Sequence, residues 1–157
     1  MLGVIKSIEE VHDLQVTSIA PGSGTGGRLG VKQMLNQLFF SDSFMDGYKV
    51  DTDNHTLYVL IDNGQCCSES WGYLSSEDDL NKYIGSTLTE VNLTDIALNQ
   101  KRVDYSGYYK EAGGIQFVDF HTDSGVFQLA VYNGHNGYYG HGILIVKDDD
   151  VILSDTL

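Results

Sequence analysis

The stretch Ile115–Val146, "IQFVDFHTDSGVFQLAVYNGHNGYYGHGILIV", decides the fold class. Two runs rich in strand-forming residues flank "DSG" at Asp123–Gly125, and this pattern predicts two antiparallel strands joined by a tight turn. A third apolar run, "GILIV", follows a loop rich in glycine and asparagine. The stretch therefore predicts an antiparallel β-sheet.

Further strands are predicted on the amino-terminal side of this stretch. "GYKVDT" and "HTLYVLIDNG" predict a hairpin that turns at "DTDN", and "TLTEVNLTDIAL" alternates as a strand does. "LQVTSIAP" (Leu14–Pro21) predicts another strand. Hairpins dominate this pattern, so the strands are expected to form one twisted antiparallel sheet.

Two segments predict short helices. "VKQMLNQLFF" (Val31–Phe40) places apolar residues at helical spacing, although its aromatic end also suits an extended chain. "SSEDDLNKYIG" offers Ser75 or Ser76 as an N-terminal cap and Gly85 as a C-terminal glycine. The predicted fold class is therefore α+β: a single domain with a twisted antiparallel sheet and one or two short helices.

Length and composition predict one domain over residues 1–157. A chain of 157 residues with 41% hydrophobic residues can bury a core. We divide it into an N-terminal segment (1–45), with a glycine-rich loop at 22–30, and a β-rich core (46–157). We expect neither a signal peptide nor a membrane span, because no apolar run is long enough. The two cysteines are adjacent, which argues against a disulfide scaffold and favours an intracellular setting.

The charge balance narrows the choice of partner. With 22 acidic and 9 basic residues, the formal net charge is −13. Binding to phosphate backbones requires clustered Lys and Arg, so we expect no direct nucleic-acid binding, and the same charge argues against a membrane surface. A partner with a basic surface fits this charge, and simple solubility explains it equally well.

Motifs for cofactors and metals are incomplete. "GSGTGG" contains G-x-G-x-x-G at Gly22, Gly24 and Gly27, but antiparallel hairpins do not form the parallel βαβ unit of a dinucleotide site, so a surface loop is expected. "DTDNHT" lacks the glycine and the late glutamate of a calcium loop. We therefore predict no cofactor and no catalytic residue.

Adjacent cysteines suggest a second kind of site. Cys66 and Cys67 would point to opposite faces of a strand, so they are poorly placed to bind one ion together. A metal site that combines them with His135 and His141 remains an alternative, and so does one buried cysteine that acts as a small apolar residue.

Two segments, "SGYYK" and "NGYYG", share a glycine followed by two adjacent tyrosines. Tyrosine combines a large apolar ring with a hydroxyl group and is common at recognition surfaces. The same rings also serve well in a core, so both interpretations stay open. Asparagines and a histidine beside the second pair make a binding loop a reasonable hypothesis.

The chain also resembles a known family. In "YVLIDNGQCCSESWGYLSSEDDLNKYIGSTLTEV" a double cysteine precedes the pattern "WGY.SS.DDL..YIG", and "GGIQFVDFHTDSGVFQLAVYNGHNGYYGH" carries "NGYY" in a late hairpin. By these marks, roughly from Asp46 to Val146, the chain resembles a family of small proteins of unknown function from phages and prophages of Gram-positive bacteria. The resemblance implies a small accessory protein in the bacterial host cytoplasm and supplies no catalytic residues.

This setting leads to the main functional hypothesis. A small acidic phage protein is expected to be a non-enzymatic inhibitor, similar to the anti-CRISPR class, that binds a basic nucleic-acid-binding surface of a host defence effector such as a Cas nuclease. Its expected contacts are Glu77, Asp78, Asp79, Asp148, Asp149, Asp150, Tyr138 and Tyr139.

Two alternatives stay open. A sponge for a nucleotide signal would use aromatic and polar loop residues, namely Asn133, His135, Asn136, Tyr108 and Tyr109. A metal-dependent hydrolase would use Cys66, Cys67, His135 and His141. Apolar sheet edges are also compatible with a homodimer.

Overall fold

The computed structural model describes residues 1–19, 28–30, 39–62, 72–76, 78–103, 114–133 and 142–156. Within these ranges the strands are β1 (Gly3–Ile19), β2 (Arg28–Gly30), β3 (Phe39–Thr52), β4 (Thr56–Asp62), β5 (Gly72–Ser76), β6 (Thr87–Thr94), β7 (Gly114–Thr122), β8 (Gly125–Asn133), β9 (Gly142–Lys147) and β10 (Asp150–Thr156). Two short 3-10 helices lie at Leu80–Tyr83 and Gln100–Arg102. No helix in the described ranges has the length and apolar character that crossing a membrane requires.

All of the described strands belong to one antiparallel sheet in the order β2-β10-β9-β4-β3-β1-β6-β7-β8-β5. Because β2 pairs with β1 as well as with β10, the strands β1, β3, β4, β9, β10 and β2 close into a ring. The remaining strands continue from the start of β1, where Gly3 pairs with Leu88 of β6. Apolar side chains of β6, β7 and β8 share a core with the ring strands, so the two layers pack face to face.

Two hydrophobic cores lie on opposite faces of β4. Its sequence "TLYVLID" has five consecutive buried residues between half-buried ends. Alternation sends Leu57, Val59 and Ile61 towards β7 and β8, while Tyr58 and Leu60 face the inside of the ring. A continuous apolar run is therefore what a strand between two cores requires.

Irregularities bend β1 so that it serves both layers. Its pairing with β3 is interrupted at three places. At the middle one, between Val11 and Leu14, Asp13 takes a φ of 50°, and its backbone N–H donates to Asp46 Oδ1 at 2.8 Å. Bulges of this kind increase the local twist of a strand and change the direction in which its side chains point.

A glycine is required where β1 meets the β3–β4 turn. The Val4 N–H donates to Asp53 Oδ1 at 2.7 Å, and the Asp53 N–H donates to the Val4 carbonyl at 3.0 Å. Gly3 has a φ of +108°, and a Cβ atom there would lie 2.3 Å from Asp53 Oδ1. Both the backbone conformation and the close approach therefore favour glycine.

The predicted α+β class is wrong: the described chain is a β fold whose helical structure is limited to two 3-10 turns. Instead of beginning a helix, Ser75 and Ser76 end β5. Asp79 caps the short helix by accepting from the Asn81 N–H at 3.3 Å, and the chain is extended again at Ile84.

Packing explains why this helix stays short. Leu80 and Tyr83, three residues apart, both pack against the main core. The Tyr83 hydroxyl also donates to the Val126 carbonyl at 3.2 Å, and its ring lies 4.8 Å from that of Phe127. A single 3-10 turn, with three residues per turn, already places both side chains on the sheet, so no longer helix is needed.

The other predicted helix falls largely outside the described residues, which leave out 31–38. Its aromatic end is extended, because Phe39 and Phe40 begin β3. Within the predicted glycine-rich loop, Arg28–Gly30 forms β2, and the strand predicted from Leu14 starts earlier, at Gly3. The boundary drawn after residue 45 falls inside β3.

Candidate functional site

The β3–β4 hairpin supplies the first part of a polar cluster. Its register pairs Asp51 with Thr56 and Lys49 with Tyr58. Paired residues, and residues two apart on one strand, share a face, so these four side chains lie together. The Thr56 hydroxyl donates to Asp51 Oδ1 at 2.7 Å, and the Lys49 ammonium donates to the other oxygen of the same carboxylate.

The β9–β10 hairpin supplies the second part. Lys147 pairs with Asp150, so Asp148 and Asp149 form a two-residue turn, with φ values of 49° and 73°. Two successive positive φ values belong to a type I′ turn, and aspartate adopts this conformation more readily than most residues. The hairpin thereby presents three consecutive exposed carboxylates.

Hydrogen bonds join the two hairpins. The Thr56 N–H donates to Asp148 Oδ1 at 2.9 Å, and the Asp148 N–H donates to the Thr56 carbonyl at 2.9 Å. His55 Nδ1 contacts the other Asp148 oxygen. The β3–β4 and β9–β10 turns are therefore held as one unit.

Tyr58 lies among these charges. It is only 7% exposed and lines a small cavity of about 200 Å³ with Thr56, Asp148 and Asp149. Burial is the main cause that raises the pKa of Tyr58; Lys49 acts against it, and nearby carboxylates add to it. These carboxylates are Asp51, Asp149 and Glu9. The Tyr58 hydroxyl is therefore neutral at physiological pH and does not act as a base there.

We call the surface formed by Glu9, Asp51, Asp148, Asp149 and Asp150 the acidic end. The hydrogen bond to Asp51 is the main cause that raises the pKa of Lys49, so this amine stays charged. The backbone hydrogen bond from Thr56 is the main cause that lowers the pKa of Asp148, so this carboxylate stays charged too. The arrangement is suited to binding a cationic group.

The second predicted acidic run lies in another part of the sheet. Asp78 accepts from the backbone N–H of Gln128 in β8 at 2.9 Å and lies 3.7 Å from Arg102 Nη1. Asp79 caps the helix Leu80–Tyr83. The run at Asp78 and Asp79 therefore lies next to β8, and the run Asp148–Asp150 lies at the end of β9 beside β4.

Most of the predicted loop residues lie outside the described residues: Cys66, Cys67, Glu77, Tyr108, Tyr109, His135, Asn136, Tyr138, Tyr139 and His141, as do Gly22, Gly24 and Gly27. Asn133 is described; it ends β8, is 3% exposed and pairs with Gly72 and Gly114. In the part of the chain that the structure describes, no three His, Cys, Asp or Glu side chains are grouped to hold a metal ion.

Sequence reasoning missed Glu9, Lys49, Asp51, Thr56 and Tyr58 as parts of the site. The turn predicted at "DTDN" carries a signal for four of them, because counting outwards from it pairs Asp51 with Thr56 and Lys49 with Tyr58. Glu9 has no such signal. It pairs with Lys49 only through the distant pairing of β1 with β3.

Comparisons with known proteins give a family but no activity. Residues 4–145 match the model of DUF7448, a domain of unknown function. An uncharacterized protein of Acanthamoeba polyphaga mimivirus is 29% identical over 93 residues, which are 57% of this chain and 66% of that protein, just under two thirds of its length. No solved structure matches. Since the family model covers most of the chain, the protein belongs to the DUF7448 family.

Proposed function

We propose that the protein is a non-enzymatic binding protein that attaches its acidic end to a basic surface of another protein. The observation that carries the proposal is the pair of hydrogen bonds between Thr56 and Asp148, one from the Thr56 N–H to the Asp148 carboxylate and one from the Asp148 N–H to the Thr56 carbonyl, which fixes two acidic turns side by side. Groups that are already fixed lose little conformational entropy on binding, and their field steers a cationic partner towards them.

Charge and exposure support this proposal. Glu9, Asp148, Asp149 and Asp150 are all exposed, and the net charge of the whole chain is −13. Tyr58 adds a neutral hydroxyl beside them. The acidic end therefore offers a partner exposed negative charge, while the nearly buried Tyr58 adds no charge of its own.

In its narrower form, the proposal is a phage-encoded inhibitor that acts in the bacterial cytoplasm and covers the nucleic-acid-binding surface of a defence effector such as a Cas nuclease. Fixed carboxylates can take the place of phosphates on such a surface. Similarity to a viral protein supports a viral setting. The name of that virus refers to an amoeba and not to a bacterium. We therefore define the partner by its basic surface, and a Cas nuclease is one example of such a partner.

A capture experiment tests the proposal. Tagged protein is incubated with lysate of a Gram-positive bacterium at about 50 mM and about 500 mM salt, because exposed charges are largely screened at the higher value. We expect a basic protein to be retained at low salt and released at high salt. Capture that does not depend on salt, or that yields no basic protein, contradicts the proposal.

Two charge-matched variants locate the contact. Glu9→Gln with Asp149→Asn removes two exposed charges from the acidic end, and Glu90→Gln with Asp95→Asn removes two exposed charges on and after β6. We expect only the first pair to weaken capture. Equal weakening by both pairs means that net charge alone drives binding and that the acidic end is not the contact surface.

A further inference from the structure

A cleft of about 320 Å³ lies over the face of β7 and β8 that points away from the core. Alternation along β8 sends Phe127, Leu129 and Val131 into the core and leaves Val126, Gln128, Ala130 and Tyr132 on the opposite face. Ala130, which pairs with Phe117 of β7, has the smallest side chain of this row. Its size leaves the space that becomes the floor of the cleft.

The segment after β6 forms a wall of the cleft, and Gln128 fixes it in place. Gln128 Nε2 donates to the Ile96 carbonyl, and Oε1 accepts from the Leu98 N–H, both at 3.0 Å. A further bond from Nε2 to Asp119 Oδ1, at 2.6 Å, holds the amide itself. The wall is therefore formed before any ligand binds, and the cleft falls at the small end of the volume range of small-molecule sites.

Opposite charges meet at the rim of the cleft. Asp78 Oδ1 lies 3.7 Å from Arg102 Nη1, so the two side chains form an ion pair at the rim. The other Asp78 oxygen accepts from the Gln128 backbone, which fixes the carboxylate. Leu98 and Phe117 add apolar surface. The cleft thus combines an anion, a cation and an apolar floor.

We propose that this cleft binds a small zwitterion with an apolar side chain, that is, an amino acid or a molecule with the same charge pattern. Its ammonium group contacts Asp78, its carboxylate contacts Arg102, and its side chain lies over Ala130. A nucleotide fits poorly, because Arg102, the one cation among the described residues that line the cleft, is balanced by Asp78, and the net charge of the chain is −13. The site is separate from the acidic end and adds to the proposed function.

Four indole compounds test the charge pattern: L-tryptophan, tryptamine, indole-3-acetate and indole share one ring and differ in charge. Each is titrated into the full chain by calorimetry. We expect L-tryptophan to bind about fivefold more tightly than either singly charged compound, which is the upper end for one exposed ion pair. Equal binding of all four compounds, or no binding of L-tryptophan, overturns the proposal.

Variants test the position of the ligand. Ala130→Leu fills the floor and is expected to abolish binding, whereas Ala130→Ser keeps the space and is expected to retain it. Arg102, whose side chain is 57% exposed, can be changed with little risk to folding. Arg102→Gln is expected to weaken the binding of L-tryptophan and indole-3-acetate but not that of tryptamine, because it also removes the cation that competes for Asp78. Unaltered binding in a folded Ala130→Leu protein, or an equal loss for all probes in Arg102→Gln, contradicts the proposal.

Discussion

Val59 and Leu60 are neighbours in β4, both are fully buried, and they belong to different hydrophobic cores. Val59 packs in the core between the ring and the layer of β6, β7 and β8. Leu60 packs in the core inside the ring. β4 is therefore the wall that both cores share, and a change on either face acts on the same strand.

The two cores predict how substitutions in β4 combine. Ile61→Val is expected to cost about 1 kcal/mol and Leu60→Ala about 2–5 kcal/mol of the free energy of unfolding. Because the two side chains pack in different cores and share no packing partner, the double variant should come closer to the sum of both costs than a pair of substitutions within one core, although both residues share the backbone of β4. Urea unfolding, followed by circular dichroism, measures these values.

A matched pair within one core serves as the control. Ile61 pairs directly with Ile143 of β9, and both lie in the same cluster. Ile61→Val with Ile143→Val should therefore deviate from additivity by more than about 0.5 kcal/mol. If this pair is additive and the pair across β4 is not, the division into two cores is wrong.

Gly3→Ala is expected to lower the melting temperature. Alanine is strained at a φ of +108°, and its Cβ would meet Asp53 Oδ1 at 2.3 Å, so the bond from the Val4 N–H must shift. Gly85→Ala is the control, because Gly85 also has a positive φ, +92°, but no atom of the described residues lies within 4 Å of the added Cβ. Differential scanning calorimetry should show the larger loss for Gly3→Ala; equal losses would mean that the close approach carries no cost.

Acid should weaken the junction between the two turns through Asp148. Its pKa is lowered in the folded protein, chiefly by the backbone hydrogen bond from Thr56, so its contribution is present above the unfolded pKa of about 3.9. That contribution is lost as the pH falls through the lower folded pKa. Asp148→Asn keeps the acceptor oxygen without the titration, so the free energy of unfolding should fall less steeply than in the native protein from about pH 5 downwards.

Asp149→Asn is the control for this measurement. It removes one charge from the same turn and leaves the bond between Thr56 and Asp148 in place. Urea unfolding at several pH values should give a slope close to the native one for Asp149→Asn. A flatter slope in Asp149→Asn than in Asp148→Asn would mean that the charge of the turn, and not the bond, causes the pH dependence.

Replacing Gln116 by an apolar residue is expected to cost little free energy of unfolding. It is 7% exposed, and its Oε1 has no hydrogen-bond partner among the described residues, while Nε2 donates to Asp155 Oδ2 at 2.9 Å. A buried acceptor without a partner costs about 1–3 kcal/mol, so Gln116→Met should stay within about 1 kcal/mol of the native stability or exceed it.

A charged side chain at position 116 should clearly lower the stability of the fold. Gln116→Glu keeps the shape of the side chain but places a second carboxylate beside Asp155. At neutral pH the two charges repel each other, and the variant should be less stable than Gln116→Met and regain stability in acid. Thermal unfolding at pH 7 and pH 4 compares the two variants; equal stability at pH 7 would show that the Gln116 side chain is not buried beside Asp155.

The hairpins could be predicted from the sequence because they are local. "DTDN" and "DSG" place a turn between two runs of strand-forming residues, and β3–β4 and β7–β8 follow. The first part of β1 was missed because a register shift between Ile5 and Ser7 breaks its alternation, so apolar residues recur at a spacing that no simple strand pattern has. The helix after β5 was overpredicted, since capping residues show where a helix begins and not how long it is.

The candidate site could be predicted only in part. Asp148, Asp149 and Asp150 were found because they are consecutive in the sequence. Their neighbours Thr56 and Tyr58 lie on β4, and the pairing of β4 with β9 joins residues that are about ninety positions apart. Such a pairing is set by the packing of whole strands, and no short motif encodes it.

The long strand β1 has a consequence for biosynthesis. Ile5 pairs with Thr52, Gly3 pairs with Leu88, and the ring closes only when Asp150 meets Arg28. The amino-terminal strand therefore leaves the ribosome long before its partners exist. Folds that depend on such distant pairing form slowly, and their unpaired edges are open to wrong contacts in the meantime. Until translation has passed β10, the nascent chain therefore exposes strand edges whose partners do not yet exist.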